Sequence, residues 1–199
     1  MKVRIATRGS ALALVQARWV GATLVAANPG LEIEEIQVST VGDRVLDRPL
    51  AAIGGKGLFV SEVEALVARG EADIAVHSLK DVPGDVDLPE GLELMAFPMR
   101  EDPRDVLLTR DGIGLDDLHA GAKVGTTSQR RVAQLSRLRP DLAYTSLRGN
   151  VGTRLGRLDA GELDAIVLAA AGLRRLGLLA ERAHVILDPS HSIPAVGQG

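Results

Sequence analysis

The sequence predicts an α/β protein built as two similar lobes, with mixed, mostly parallel sheets and a cleft between the lobes. Three observations carry this reading. Strand-like and helix-like segments alternate along the 199 residues, which is the pattern of parallel βαβ units. The run "DAIVLAA" (164–170) is apolar on both faces, as a strand covered by helices on two sides must be. The halves also echo each other. "ARGEADIAVHS" (68–78) and "DAGELDAIVLA" (159–169) each close a helix at Gly-Glu and enter a strand through Asp, and "IATRGSALAL" (5–14) matches "VGTTSQRRVAQL" (124–135) as strand, polar turn and capped helix.

In chain order, "KVRIAT" (2–7) reads as a strand. From Ser10 to about Ala27 the periodicity predicts a helix with Ser10 as N-cap and Leu12, Val15, Trp19, Ala22 and Ala26 on one face. "LEIEEIQV" (31–38) is a strand, and the glycines and scattered charge of 39–57 read as a loop. A helix near Leu58–Arg69 leads into the strand of 72–77, and "LELMAFPM" (92–99) reads as a further strand before Pro98 and Pro103 punctuate the chain. The second half predicts strands at 105–109, 122–127, 142–147 and 164–170, with helices at 128–138, capped by Ser128, and 150–161.

Composition narrows the function. Hydrophobic residues make up 46% and charged residues 25%, with a net charge of −3 and no long run of one sign. That argues against nucleic-acid or membrane-surface binding. Aromatics are 2%, too few for base-stacking platforms. The chain has no cysteine, so disulfides, thiolate catalysis and zinc–thiolate sites are excluded for these residues. No apolar run approaches 18 residues, and a cytoplasmic location is the default expectation. The four histidines show no ligand spacing, so no metal site is expected. Of the 23 basic residues, 19 are arginine and four lysine. Guanidinium forks bind carboxylates bidentately, which lysine cannot do, although genomic base composition or thermal adaptation explains the bias equally well.

In open α/β sheets, ligands bind beyond the carboxyl ends of the strands, where helix N-termini present free N–H groups. Those ends here carry Thr7, Arg8 and Ser10; then Ser78, Lys80 and Asp81; then Thr126, Ser128, Arg130 and Arg131; then Arg148 and, one turn on, Arg154. Hydroxyls and arginines recur at each, as a ligand with several anionic groups requires. Ser10 and Ser128 are equally explained as helix caps, and Arg130–Arg131 as a solvated face. "GGKG" (54–57) lacks the spacing of a nucleotide-binding loop. Asp81 is a carboxylate among cations, either a charge-balancing partner or a group that holds a cationic intermediate and moves protons.

Taken together, "RIATRGSALAL", "GDR", "GGKGLFVSEVE", "ADIAVHSLKDVP", "REDPRDVLL", "GTTSQRRVAQL", "LRGNVGTRLGRLD" and "IPAVGQG" resemble the hydroxymethylbilane synthase, or porphobilinogen deaminase, family in the right order and over essentially the whole chain. The resemblance implies two periplasmic-binding-protein-like lobes and a transferase. Four porphobilinogen molecules would be condensed head to tail into the linear tetrapyrrole hydroxymethylbilane, with release of ammonia, on a dipyrromethane cofactor. By the same resemblance Asp81 matches the catalytic aspartate. Arg8, Ser10, Lys80, Thr126, Ser128, Arg130, Arg131, Arg148 and Arg154 match positions that bind cofactor or substrate carboxylates, and Gln198 lies in the family's "GQG" segment. Lys56 and Phe59 match the family's active-site loop and its neighbourhood, with Ser78 as a further substrate-side residue.

The implied lobes are 1–99 plus the tail 189–199, and 104–186, with hinges at Pro98/Pro103 and Pro189/Pro194. The family also carries a third domain whose cysteine anchors the dipyrromethane through a thioether. This sequence lacks that cysteine, and the expectation is a piece of a longer protein. Other expectations are a monomer and the small molecule porphobilinogen as partner, with neither nucleic acid nor membrane. Two alternatives use the same cleft without catalysis: a solute-binding module and an inactive anion-binding fragment.

Overall fold

The computed structural model describes residues 1–40, 60–85 and 87–199. The chain divides into two units, Met1–Pro98 and Met99–Gly199.

In the first unit, β1 (Lys2–Arg8), α1 (Ala11–Ala27), β2 (Glu32–Val38), α2 (Ser61–Ala68) and β3 (Ile74–Ala75) form a three-stranded sheet in the order β2-β1-β3. Both pairings are parallel, with Ile5 opposite Glu35 and Ile74. Neighbouring residues of β1 serve opposite layers. Ile5 approaches α1 beside Gly21, whose missing side chain lets Ile33 and Ile5 come close, while Ala6 packs with Val63 of α2 and with Ala72. A close helix–strand approach explains why the buried line of α1 is Ala17 and Gly21. The face expected from periodicity is corrected accordingly: Trp19 is 43% exposed, and Ala22 and Ala26 also face solvent.

The second unit holds β4 (Asp105–Thr109), β5 (Lys123–Gly125), α3 (Gln129–Leu138), β6 (Ala143–Thr145), α4 (Val151–Asp159), β7 (Ala165–Ala169), α5 (Ala170–Arg175) and β8 (His184–Ile186). Its sheet runs β6-β5-β7-β4-β8. β5 pairs in parallel with β6 and β7, whereas β4 runs antiparallel to β7 and β8. Both faces are covered. Val106, Leu108, Ile166 and Leu168 join Leu155 and Leu158 of α4 and Leu173 of α5. The alternate residues Leu107, Ala165 and Val167 join Leu135 of α3 on the other side.

The internal repeat is visible in topology and in single hydrogen bonds. The orders β2-β1-β3 and β6-β5-β7 are the same arrangement, a first strand flanked by the two that follow it. Both α2 and α4 end in a glycine with positive φ, Gly70 at 68° and Gly161 at 74°. At each end the glycine N–H donates to the carbonyl three residues back, and the next residue, Glu71 or Glu162, donates to the one five back; this is the Schellman cap. Asp73 and Asp164 then accept, through Oδ2, the backbone N–H of Arg4 and Lys123 on the neighbouring strand, each at 2.8 Å. The aspartate that opens the strand in both halves therefore fixes its register against the sheet's first strand.

Two sequence expectations fail here. The segment 92–99 forms no strand: Leu94, Met95, Phe97 and Met99 are exposed, and no described strand receives them. Apolar, β-prone residues make a strand only where a partner satisfies the backbone. The tail 189–199, expected with the first lobe, belongs to the second unit. Ser192 and Gln198 both bond Asp105 there, and Gln198 also donates to the Pro103 carbonyl at 2.7 Å.

Candidate functional site

The parallel pairing of β5 with β6 and β7 brings the residues after all three strands to one edge of the second sheet. Because β4 is antiparallel to β7, with Asp105 opposite Ala169, the first residue of β4 lies at that same edge. Thr126, Ser128, Arg130 and Arg131 follow β5, and Arg148 and Arg154 follow β6. The Ser128 N–H donates to Thr126 Oγ1 at 3.2 Å, and Ser128 Oγ caps α3 by accepting from the Arg131 N–H at 3.5 Å. Asn150 caps α4 through the Thr153 N–H at 2.9 Å. Arg154 Nε donates to the Gly149 carbonyl at 2.8 Å, bending that side chain back over the turn after β6. Two capped helix starts, two hydroxyls and four guanidiniums thus share one strand edge, an arrangement suited to carboxylates.

The pair Arg130–Arg131 is organised by a residue that the sequence reading did not select. Asp105 is fully buried. Arg130 Nη2 donates to its Oδ2 and Arg131 Nη2 to its Oδ1, both at 2.7 Å. Ser192 Oγ donates to Oδ2 at 2.8 Å and Gln198 Nε2 to Oδ1 at 2.7 Å. Burial alone would raise the Asp105 pKa, but the bond and charge of Arg131, with the bonds from Gln198 and Arg130, outweigh it and hold the carboxyl at about 2. Arg131 is 6% exposed, also donates to the Val167 carbonyl at 3.0 Å, and keeps a buried Nε with no partner among the described residues. Arg130 is less enclosed. Its Nη1 donates to the Ile193 carbonyl, and Gln134 Nε2 reaches the same oxygen at 3.3 Å.

In the first unit the parallel register sets Arg8, at the end of β1, on the same edge as the residues after β3. Ser10 is the N-cap of α1, accepting from the Ala13 N–H at 3.4 Å. Ser78 Oγ lies 3.0 Å from Gln16 Nε2 on that helix. A single 3₁₀ turn, Leu79–Asp81, follows, closed by the Asp81 N–H donating to the Ser78 carbonyl at 2.8 Å. The turn leaves Lys80 and Asp81 exposed. His77 is half-buried, its Nε2 has no partner among the described residues, and burial together with the Arg8 charge lowers its pKa to about 4.

The structure thus places Arg8, Ser10, Ser78, Lys80 and Asp81 at one edge of the first sheet, and Thr126, Ser128, Arg130, Arg131, Arg148 and Arg154 at one edge of the second. Gln198 is buried against Asp105 rather than presented at a surface. Lys56 and Phe59 lie outside the described residues. No cluster of three or more metal-ligating side chains occurs among the described residues. Asp105 was detectable in principle: a carboxylate opening the apolar run "DVLLT" needs buried cations to pair with.

Mixed α/β units with parallel-rich sheets place the chain in the fold class of periplasmic binding proteins. It is similar to the VFT2 domain of BvgS from Bordetella pertussis, at 20% identity over 94% of this chain and 76% of that one, with a TM-score of 0.51. It is also similar to a variant of the OxyR2 regulatory domain from Vibrio vulnificus, at 13% identity over 98% and 84%, with a TM-score of 0.54. A ligand-binding component of an ABC-type import system from Staphylococcus aureus matches at 11% identity and a TM-score of 0.46; this chain spans 94% of itself and 60% of that protein. The sequence itself is more specific. Residues 3–199 match the model of the family "Porphobilinogen deaminase, dipyromethane cofactor binding domain", and the chain belongs to that family.

Proposed function

We propose that the chain binds substrate and cofactor as a hydroxymethylbilane synthase, which joins four porphobilinogen molecules head to tail with loss of ammonia at each step. The observation that carries the reading is the second sheet's edge, where Thr126, Ser128, Arg130, Arg131, Arg148 and Arg154 converge on the scaffold of a family named for dipyrromethane binding. Each pyrrole of such a chain bears an acetate and a propionate, so negative charge accumulates as it grows, and guanidinium forks neutralise carboxylates with two directed bonds.

The donor set fits a dipyrromethane by charge and by type, and the buried Arg131 Nε is an unused donor at that site. Arg130, Arg148 and Arg154 would hold its carboxylates. A thioether anchor needs a cysteine, which these 199 residues do not contain. When bound, the group supplies the primer on which pyrroles are added.

Asp81 is the proposed catalytic residue. Its exposed carboxylate stands at the strand edge, on a turn that also carries Lys80. Departure of ammonia leaves positive charge on the substrate pyrrole. A fixed carboxylate beside the ring N–H stabilises that charge and accepts or returns a proton. Lys80, Arg8 and Ser10 would bind substrate carboxylates on the same edge. The proposal includes a monomer working in the cytoplasm, which sedimentation and cell fractionation test. Calorimetric titration with porphobilinogen tests the binding: saturable binding, weakened at least tenfold by Arg148→Ala, supports the reading, and absence of binding overturns it.

A further inference from the structure

We propose that Asp105 is the positioning residue of the arginine site, orienting Arg130 toward an incoming carboxylate and tying the tail that carries Ser192, Ile193 and Gln198 to the same point. The inference rests on the proposed function for the identity of the ligand, but not for the arrangement itself.

Two guanidiniums share one buried carboxylate, one on each oxygen, so the cluster carries one uncompensated positive charge. The cations are not equivalent. Arg131 is enclosed and held by both Asp105 and the Val167 carbonyl, which makes it the structural partner. The Arg130 side chain keeps 25% exposure, so it is the one that can reach a ligand. Asp105 fixes one edge of its fork through Nη2, leaving Nη1 directed at the Ile193 carbonyl. A neutral carbonyl on an excess cation is the weaker contact, and a carboxylate there would gain a charge-assisted bond. Arg130, Ser192 and Gln198 therefore all bond one side chain, although 93 residues separate Asp105 from Gln198.

The test uses Asp105→Asn, which preserves shape and removes the charge, with Ser192→Ala as a control that removes one tail bond to Asp105. Guanidinium NMR of Arg130 and Arg131 and hydrogen exchange at the 192–198 amides need no ligand. In the parent, slowed guanidinium rotation and protected amides are expected; in Asp105→Asn, fast rotation at Arg130 and at least tenfold faster tail exchange. Titration with porphobilinogen should then show at least tenfold weaker binding for Asp105→Asn and an affinity within twofold of the parent for Ser192→Ala, which loosens the tail and removes only the longest contact of Arg130, Nη1 to Ser192 Oγ at 3.5 Å. A merely structural Asp105 would leave the affinity of the folded variant within twofold of the parent, and that result overturns the inference, as do unchanged guanidinium and tail signals. A parent that binds no porphobilinogen sinks the proposed function instead, and the two ligand-free readouts still decide the role of Asp105. Because a lone buried guanidinium is destabilising, the double change Asp105→Asn/Arg131→Gln removes both charges if the single variant fails to fold, and in it the test is the ligand-free pair of readouts: fast rotation at Arg130 and at least tenfold faster tail exchange.

Discussion

Arg131 Nη2 meets Asp105 Oδ1 at 2.7 Å inside the second unit, with both side chains buried. This pair joins the start of β4 to the first turn of α3, so a buried ion pair is built into the strand edge that gathers the arginines. Its consequences can be measured.

Acid should loosen the second unit as the pH falls below the ordinary carboxylate range. A carboxyl with a depressed folded pKa stabilises the native state above its unfolded value and loses that contribution as pH falls toward the folded one. For Asp105 the window runs from 3.8 down to about 2, and the contribution lost is about 2 kcal/mol. Chemical denaturation across this range should show the loss in the parent and a flatter profile in Asp105→Asn.

His77 gives the first unit a separate pH dependence. Burial keeps it neutral in the folded state down to about 4, against an ordinary 6.5, so between these values the unfolded chain binds the extra proton. Stability should therefore fall as pH drops through that window, by up to about 3 kcal/mol. NMR titration of the imidazole carbons of His77 should give a midpoint near the lower value, and a midpoint near 6.5 would contradict the burial described.

Gly149 should resist substitution. It has φ 104°, and a Cβ there would lie 2.8 Å from the Cβ and Cγ2 of Thr153. Gly149→Ala is expected to cost about 1–3 kcal/mol and to displace Arg148 and Arg154, read by thermal denaturation and by porphobilinogen affinity. Gly177→Ala, at φ 73° with no atom within 4 Å of the added carbon, should cost less and leave affinity unchanged.

What the sequence revealed depended on how local the cause was. Ser10 and Ser128 were legible as caps because capping is written within four residues. The Gly-Glu-x-Asp repeat was legible for the same reason, and its two copies make the same bonds. The short strand β3, only Ile74–Ala75 against an expected 72–77, and the missing strand at 92–99 depended on partners elsewhere in the chain. β8 and α5 were not anticipated, since a three-residue strand and a six-residue helix carry little periodicity. For Asp105 the local run shows only a carboxylate that needs partners; which ones, two arginines 25 and 26 residues away and a tail about 90 away, is not written locally.

Asp81 carries the proposed chemistry. Ammonia release from porphobilinogen should be measured with the protein that carries these residues, beside the same protein with Asp81→Ala. Because Asp81 is exposed on its 3₁₀ turn, the variant should fold with unchanged stability and lose about 10³-fold in turnover, the scale of a removed proton-transfer and charge-stabilising group. A folded variant that releases ammonia at the parent rate would contradict the assignment.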